Sequence, residues 1–283
     1  MKRSDRIKLA FIRNWNLPGK ERLSHLLKPS VQLRQLIKDG ITWLNTENIG
    51  IYTHADSYIE WTILSTGTYE DEIGKLIRLC LKKGDNCLDI GGNIGLQSMR
   101  MAQAVGEQGV VYAFEPLNYL QQKLNKNLLL NRLSNVTLFP IALSDIEQTR
   151  EFDIDPNAWN QGTFSLHGSA GSDKQLVVIK PGDALPEIKE LQHLALIKID
   201  VEGYELPVLR GLKQTITKYK PRIIFEYDSN YWTVTGQSIN ECYQFLTNLN
   251  YVFFQITAIG CERINNVKKI QTGNLFCMVE SDE

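Results

Sequence analysis

Short apolar runs alternate with amphipathic segments along the chain from residue 86 onward. Five runs are rich in β-branched and aromatic residues, as strands are: NCLDI at 86–90, VVYAFEP at 110–116, NVTLFPIALSD at 135–145, LALIKID at 194–200 and PRIIFEYD at 221–228. After the second run, leucines recur at helical spacing, at Leu117, Leu120, Leu124 and Leu128. The alternation predicts βα units and therefore an α/β fold on a mainly parallel sheet.

Two more apolar runs close the chain, YVFFQIT at 251–257 and NLFCMVE at 274–280. The stretch between them is too short for a crossover helix, so we expect an antiparallel pair at one edge of the sheet. Ser238, with Glu241 three residues later, has the spacing of a capping box and predicts a helix start before this pair. Residues 146–193 exceed the roughly dozen residues that a crossover needs, which predicts an insertion that could reach over a site.

Charge is distributed unevenly along the chain. Residues 1–40 hold ten basic and three acidic side chains, so they carry +7, whereas the rest carries −8 within the formal net charge of −1. We expect a basic N-terminal helical extension at residues 1–50 and one main domain at residues 51–283. A solvated helical face is the favoured interpretation of the extension, ahead of peripheral contact with an anionic membrane, and no nucleic-acid partner is expected.

The expected compartment is the cytoplasm. No apolar run approaches the roughly 18 residues of a membrane span, and the N-terminus lacks the apolar core of a signal peptide. The five cysteines show neither metal-ligand nor redox spacing, and they resemble core residues of a reducing compartment.

A glycine-rich turn follows the first strand in CLDIGGNIG, residues 87–95. Gly91, Gly92 and Gly95 would let the backbone approach a ligand closely. Glu115 lies twenty residues after Gly95 at the end of the second strand, where a carboxylate can accept hydrogen bonds from both ribose hydroxyls. In an open parallel sheet these strand ends share one crevice, so the pattern predicts a nucleotide site there.

Asp89 bears on which nucleotide binds. A dinucleotide site uses G-x-G-x-x-G to hold a pyrophosphate, whereas this turn places an acid directly before its glycines. A carboxylate repels pyrophosphate and attracts the ammonium and sulfonium groups of S-adenosylmethionine. The residues therefore favour a methyl donor, with an NAD-dependent oxidoreductase and a non-catalytic donor-binding module kept as alternatives.

CLDIGGNIG, together with AFEP at 113–116, IALSD at 141–145 and KIDVEGYE at 198–205, resembles the FkbM family of S-adenosylmethionine-dependent methyltransferases. The resemblance spans about residues 66–256. It implies a class I methyltransferase (Rossmann-like) fold, with a seven-stranded sheet of order 3-2-1-4-5-7-6 and helices on both faces. It also implies O-methylation of a hydroxyl on a sugar, glycan or natural product, so a small-molecule or glycan acceptor is expected.

The resemblance also implies roles for individual residues of the donor site. Asp89, Gly91, Gly92, Asn93 and Gly95 would hold the methionine part of the donor, and Glu115 the ribose. Ala142 and Asp145, after the third strand, would flank the adenine.

Methyl transfer to an alcohol asks for a base or for a divalent cation that lowers the pKa of the hydroxyl. Asp200 and Glu202 end the LALIKID strand and are the catalytic candidates. With Glu226 at the end of the next strand they could instead share a cation. Alternatively, Asp200 hydrogen-bonds the donor and Glu202 caps the following helix, and Lys198 is the expected ion-pair partner of Asp200.

Two further segments are candidates to cover the site. Tyr69 and Glu70 open the helix before the first strand and could close over the donor, although Glu70 could equally cap that helix. In the insertion, Trp159, Asn160 and Gln161 combine a ring face with amides, which suits a sugar-like acceptor as well as a packed loop.

Overall fold

The computed structural model describes residues 11, 40–55, 57–156, 159 and 173–280. Its strands are, in chain order, β1 (Gly40–Trp43), β2 (Gly50–Thr53), β3 (Asn86–Ile90), β4 (Val110–Phe114), β5 (Val136–Phe139), β6 (Ala142–Leu143), β7 (Gln148–Ile154), β8 (Asp173–Lys180), β9 (Leu196–Ile199), β10 (Arg222–Tyr227), β11 (Tyr251–Thr257), β12 (Gly260–Ile264) and β13 (Gly273–Val279). The described α-helices are α1 (Tyr58–Thr66), α2 (Asp71–Cys80), α3 (Leu96–Val105), α4 (Asn118–Leu130), α5 (Pro186–Lys189), α6 (Glu205–Gly211), α7 (Lys213–Tyr219), α8 (Ser229–Val234) and α9 (Ile239–Thr247).

The central sheet has eight strands in the order β12-β11-β13-β10-β9-β3-β4-β5. Strands β10, β9, β3, β4 and β5 are parallel, whereas β13 runs antiparallel to β10 and β11 antiparallel to β13. The expected α/β class with a mainly parallel sheet is confirmed, as is the antiparallel pairing of the last two apolar runs. The predicted helix start at Ser238 is also confirmed, because the Ser238 hydroxyl accepts from the Glu241 amide.

The expected count of seven strands is wrong. β12 adds an eighth strand at the edge, because the chain turns back at residues 258–259 and pairs Gly260–Ile264 with β11. This strand is exposed and polar apart from Ile264, so it lacks the apolar pattern that identified the other strands.

Apolar side chains cover both faces of the sheet. Ile223 and Ile224 are neighbours in β10 and point to opposite faces, yet both are completely buried, in different core clusters. The cluster around Ile223 includes Leu206 of α6, whereas that around Ile224 includes Ile77 of α2. Helices therefore pack on both faces, which accounts for strands that are apolar almost throughout.

The expected domain boundary at residue 50 falls inside a β-hairpin. β1 pairs antiparallel with β2 from Gly40↔Thr53 to Trp43↔Gly50, and Ile49 and Ile51 are buried in the same cluster as Leu124 of α4. Residues 40–50 therefore pack with the main domain. The predicted helices of the basic extension lie outside the described residues, apart from Phe11.

The insertion at 146–193 contributes β7 and β8 to a second sheet of order β6-β8-β7. β8 runs parallel to β6 and antiparallel to β7, so it joins the end of the third βα unit to the insertion. Among the described residues, no helix is both long and apolar enough to cross a membrane.

Candidate active site

A cavity of about 370 Å³ opens at the carboxyl ends of β3, β4, β9 and β10. The order of the sheet reverses here, because the chain proceeds from β3 to β4 and β5 on one side and returns to β9 on the other. The amide of Asp200, just after β9, donates to the Ile90 carbonyl at the end of β3 at 2.9 Å. Two neighbouring strand ends are thereby joined at the place where open α/β sheets bind ligands.

The glycine turn between β3 and α3 forms one wall of the cavity. Gly91 has φ 85°, and a Cβ at this position would lie 1.9 Å from the Asp200 carbonyl oxygen. Gly91 and Asn93 line the cavity, whereas Gly92 and Gly95 pack against Leu124 of α4 instead. The structure therefore brings Gly91 and Asn93 to the cavity and gives Gly92 and Gly95 a packing role.

Glu115 lines the same end of the cavity, after β4. Its carboxylate accepts from the backbone amides of Asn93 at 2.8 Å and Leu117 at 2.9 Å. Burial raises the pKa of Glu115 to about 7, although both hydrogen bonds act to lower it. Each carboxylate oxygen keeps further acceptor capacity after these bonds, so a ribose can still be held there.

Asp89 does not line the cavity, and its side chain is completely buried within β3. It accepts from the Ser98 hydroxyl, and it is in register with Lys198 on the adjacent strand β9. Lys198 in turn donates to Asp200 Oδ2 at 3.0 Å, which confirms the expected ion pair. Burial would lower the pKa of Lys198, but the charges of Asp200, Asp89 and Glu70 raise it, so the ammonium stays charged.

Glu70 reaches the cavity from the start of α2. It occupies the N-cap position with φ 48°, yet its side chain makes no capping hydrogen bond, so the helix-cap alternative for Glu70 is wrong. Instead its Oε2 accepts from Gln97 at 2.8 Å. Burial, followed by the charge of Asp200, raises the pKa of Glu70 above its usual range.

Three acids lie at or just beyond the ends of β9 and β10, as expected, and Glu226 is the last residue but one of β10. Strand β9 ends at Ile199, so Asp200 and Glu202 lie in the turn beyond it, and Glu202 has φ 55°. Asp200, Glu202 and Glu226 all line the cavity. Burial and the charge of Asp200 raise the pKa of Glu202, while the charge of Asp200 is the largest cause that raises the pKa of Glu226.

The helix-cap alternative for Glu202 is also wrong, because the N-cap residue of α6 is Tyr204 and no side chain caps the helix. Glu205 instead binds the turn that contains Glu202. Glu205 Oε1 accepts from the amides of Val201 at 3.0 Å and Gly203 at 3.3 Å, and its side chain is buried. Glu205 was not predicted from the sequence, although its position at the first residue of α6 is a typical one for an acid that binds free amides.

Two other residues that were not predicted are Gln97 and Arg100 on α3. Arg100 Nη1 donates to the Glu70 carbonyl at 3.0 Å and to Gln97 Oε1 at 3.3 Å. Arg100 is nearly completely buried, and its Nε donates to Glu47 at 2.8 Å. Polar residues on a buried helix face are the signal that could have identified them.

Of the other residues predicted for the site, only some lie at the cavity. Ala142 lines the cavity, whereas Asp145 does not and accepts from the Ser144 hydroxyl at 3.2 Å. Trp159 packs against the cluster that includes Trp61 rather than lining the cavity. Asn160 and Gln161 lie outside the described residues.

Among the residues that the structure describes, no three acidic, histidine or cysteine side chains are arranged to hold a metal ion, so the expectation of a divalent cation gains no support.

Comparison with known proteins identifies similar chains. A family model described as "Methyltransferase FkbM domain" matches residues 89–253, which is more than half of the chain. Methyltransferase 1 of Beauveria bassiana is 27% identical over 143 residues, which cover 44% of this chain and 57% of that protein. The hexuronic acid methyltransferase AglP of Haloferax volcanii is 30% identical over 146 residues, which cover 50% of this chain and 56% of that protein. The chain thus spans little more than half the length of these relatives.

Among solved structures, the methyltransferase FkbM of Methylobacillus flagellatus is similar with a TM-score of 0.45 and 15% identity. The similarity covers 78% of this chain and 53% of that chain.

Proposed function

This chain belongs to the methyltransferase FkbM domain family, and we propose that it transfers a methyl group from S-adenosylmethionine to a hydroxyl of a sugar, glycan or natural product. The observation that carries the proposal is the cavity at the point where the sheet order reverses. A glycine turn and Glu115 form one end of it, after β3 and β4, and Asp200, Glu202 and Glu226 form the other, at the ends of β9 and β10. When bound, the donor supplies a methyl group on a positively charged sulfur, which this acidic cavity suits.

The donor end would be formed by Gly91, Asn93 and Glu115. The absence of a side chain at Gly91 and the exposed backbone of the turn allow close approach, and Glu115 would accept from the ribose hydroxyls. Ala142 would lie beside the adenine, and Glu70 would face the donor's ammonium group. Asp89 would act indirectly, because its charge helps to hold Lys198 beside Asp200. No role in donor binding is proposed for Asp145.

Asp200 is the residue that we assign as catalytic base. Lys198 engages its Oδ2, which leaves Oδ1 as the oxygen to accept the acceptor's hydroxyl proton. The acceptor oxygen then forms a bond to the methyl carbon as the bond from that carbon to sulfur breaks. Alignment of the two reactants by the cavity supplies most of the acceleration, since positioning is worth about 7–11 kcal/mol. Glu202 and Glu226 would contact the acceptor.

The alternative of an NAD-dependent oxidoreductase fits the site less well. Asp89 and Glu115 place negative charge near the turn that would have to hold a pyrophosphate. Tyr119 and Lys123 have the spacing of a proton-transfer pair, but neither lines the cavity, and Lys123 is ion-paired with Glu60 at 3.1 Å. A non-catalytic donor-binding module would not need the Lys198–Asp200 pair at the cavity.

Calorimetric titration with S-adenosylmethionine, S-adenosylhomocysteine and NAD tests the proposal. We expect both sulfur ligands to bind and NAD not to bind, whereas binding of NAD alone would overturn the methyltransferase assignment. In a turnover assay, Asp200→Asn should keep its affinity for S-adenosylhomocysteine and lose about 10²- to 10⁴-fold in rate, the usual contribution of a general base. Unchanged turnover would remove Asp200 from the mechanism.

A further inference from the structure

One end of the cavity, the acidic end, has a wall of four carboxyl groups, those of Asp200, Glu202, Glu226 and Asp228. The first two follow β9, and the other two lie at the end of β10 and just beyond it. Glu115 lies at the other end, and its carboxylate accepts from the backbone amides of Asn93 and Leu117 instead. Because the donor would occupy the glycine turn and Glu115, the acidic end is where the acceptor would lie.

Positive charge is scarce around these carboxylates. Of the described residues that line the cavity, six are aspartate or glutamate and none is lysine, arginine or histidine. Lys198, which is 4% exposed, is already paired with Asp200. The donor's two positive groups and one carboxylate would add a net charge of about +1. Several carboxyl groups then remain without a counter-charge inside a partly closed cavity, where unpaired charge is costly.

The acidic end is not satisfied by hydrogen bonds within the protein. Glu202 Oε2 is shielded from solvent and has no hydrogen-bond partner among the described residues, although Tyr231 interacts with the same carboxylate. Asp228 is partly satisfied, since it accepts from the amides of Asn230 and Tyr231 at the start of α8. The charge of Asp200, followed by burial, raises the pKa of Glu226, so a cation bound beside this carboxyl group would favour its ionised form.

We propose that the acceptor carries a protonated amine close to the hydroxyl that receives the methyl group, as an amino sugar does. The inference rests on the proposed methyl transfer and narrows its acceptor. An ammonium group would compensate Glu202 and Glu226 directly, since an opposite charge within about 4–6 Å favours the ionised carboxylate. Tyr204 and Tyr231 also line this cavity, and tyrosine ring faces attract cations.

An acceptor with a carboxylate is disfavoured by the same charges. Its anion would lie among Asp200, Glu202 and Glu226 with no lysine or arginine on the described wall to receive it. The similar protein of Haloferax volcanii is named a hexuronic acid methyltransferase. The acidic end therefore predicts that this chain differs from that relative in the charge of its acceptor.

Three sugars that differ in one charged group test the proposal. The methyl glycosides of glucosamine, glucose and glucuronic acid are titrated into the protein saturated with S-adenosylhomocysteine, with EDTA present so that no divalent cation competes for the carboxylates. We expect the glucosaminide to bind at least tenfold more tightly than the glucoside, and the glucuronide to bind most weakly. Equal affinity for the three glycosides, tighter binding of the glucuronide, or no binding of the glucosaminide would overturn the proposal.

A matched pair of variants locates the effect. Glu226→Gln removes one carboxylate from the acidic end, and Glu262→Gln makes the same change on the exposed strand β12. The first should reduce the preference for glucosaminide over glucoside at least threefold, and the second should leave it unchanged. An unaltered preference in Glu226→Gln would contradict the assignment of the amine to this end.

The titration with S-adenosylhomocysteine alone separates this inference from the proposed function. Failure of that ligand to bind would contradict methyl transfer itself. Normal binding of S-adenosylhomocysteine, combined with no preference for the amine, would overturn only the charge assigned to the acceptor.

Discussion

The two ends of the cavity use polar groups in opposite ways. At the donor end, Glu115 accepts from two backbone amides, and the Cβ-free position of Gly91 lies against the Asp200 carbonyl. At the acidic end, Glu202 has an oxygen without a hydrogen-bond partner among the described residues, and the charge of Asp200 disfavours ionisation of Glu226. The donor end is shaped by backbone, whereas the acidic end is shaped by unneutralised charge.

Because of this difference, the two ends should respond differently to substitutions. A backbone-shaped wall depends on close contacts, so a single added methyl group disturbs it. A wall of carboxylates that repel each other lowers the stability of the folded protein when no ligand is bound. Removal of one carboxylate should therefore increase stability, and it should also weaken the binding of a cation. Changes at the donor end should therefore lower stability and donor binding, whereas removal of the Glu226 carboxylate at the acidic end should raise stability.

The largest effect is expected from Gly91→Ala. Its Cβ would lie 1.9 Å from the Asp200 carbonyl oxygen, and the residue has φ 85°. Gly84→Ala is the matched control, because Gly84 has φ 87° and its Cβ would meet nothing within 4 Å. Urea denaturation should show a loss of about 1–2 kcal/mol for Gly84→Ala, the cost of left-handed backbone, and more than about 4 kcal/mol or no folding for Gly91→Ala.

Similar losses in the two variants would contradict the close packing of Gly91 against the neighbouring strand end. If Gly91→Ala folds, its affinity for S-adenosylhomocysteine should be lost, while Gly84→Ala should bind normally.

An intermediate effect is expected from Glu115→Ala at the same end. The change removes the acceptor of the Asn93 and Leu117 amides, and hydrogen bonds to a charged group are worth about 1.5–3 kcal/mol. Calorimetry should show an affinity for S-adenosylhomocysteine about 10- to 100-fold weaker. Glu107→Ala, in an exposed turn after α3, should leave that affinity unchanged, and equal effects of the two changes would remove Glu115 from the donor site.

The smallest effect, of opposite sign, is expected from Glu226→Gln. The pKa of Glu226 in the folded protein is raised above its ordinary value of 4.5, chiefly by the charge of Asp200. The native state therefore binds more protons than the unfolded state above pH 4.5, and the free energy of unfolding falls as the pH rises towards the raised pKa. Glu226→Gln should flatten this fall and gain at least about 1.4 kcal/mol at pH 8, the equivalent of one pKa unit.

Denaturation of the ligand-free protein at a series of pH values from 5 to 9 measures the slope. Glu262→Gln should reproduce the wild-type slope, because Glu262 is exposed on β12. A Glu226→Gln variant that is less stable than the wild type at pH 8 would show that Glu226 is stabilised by its neighbours. That result would contradict the description of the acidic end as a region of unneutralised charge.

Much of the fold was predictable because each signal was local. Apolar runs and helical spacing identified β3, β4, β9, β10 and the strands that close the chain. β12 was missed because its exposed residues carry no apolar pattern, and it pairs only because a short turn returns it to β11. The boundary at residue 50 was misplaced because the charge of the first 40 residues does not reveal where pairing with β2 begins.

The candidate site was predictable to a similar extent. Gly91, Asn93, Glu115, Asp200, Glu202 and Glu226 were expected there, and all line one cavity. Asp89 and Asp145 do not line it, because a side chain's direction depends on the twist and register of strands that the sequence does not specify. Gln97 and Glu205 were not predicted, since the backbone geometry that brings each of them to its partner forms only in the folded chain.

The sequence by itself determined the order of strands and helices and the kinds of side chain at each strand end, because hydrophobic periodicity and glycine content are local properties. Only the tertiary structure decided which acids acquire partners. Glu115 and Glu205 meet backbone amides, whereas Glu202 and Glu226 face the charge of Asp200. Apart from bonds within one turn, such as those of Glu205, that outcome depends on distances between segments far apart in the chain. In a partly closed cavity those distances decide how strongly the charges interact.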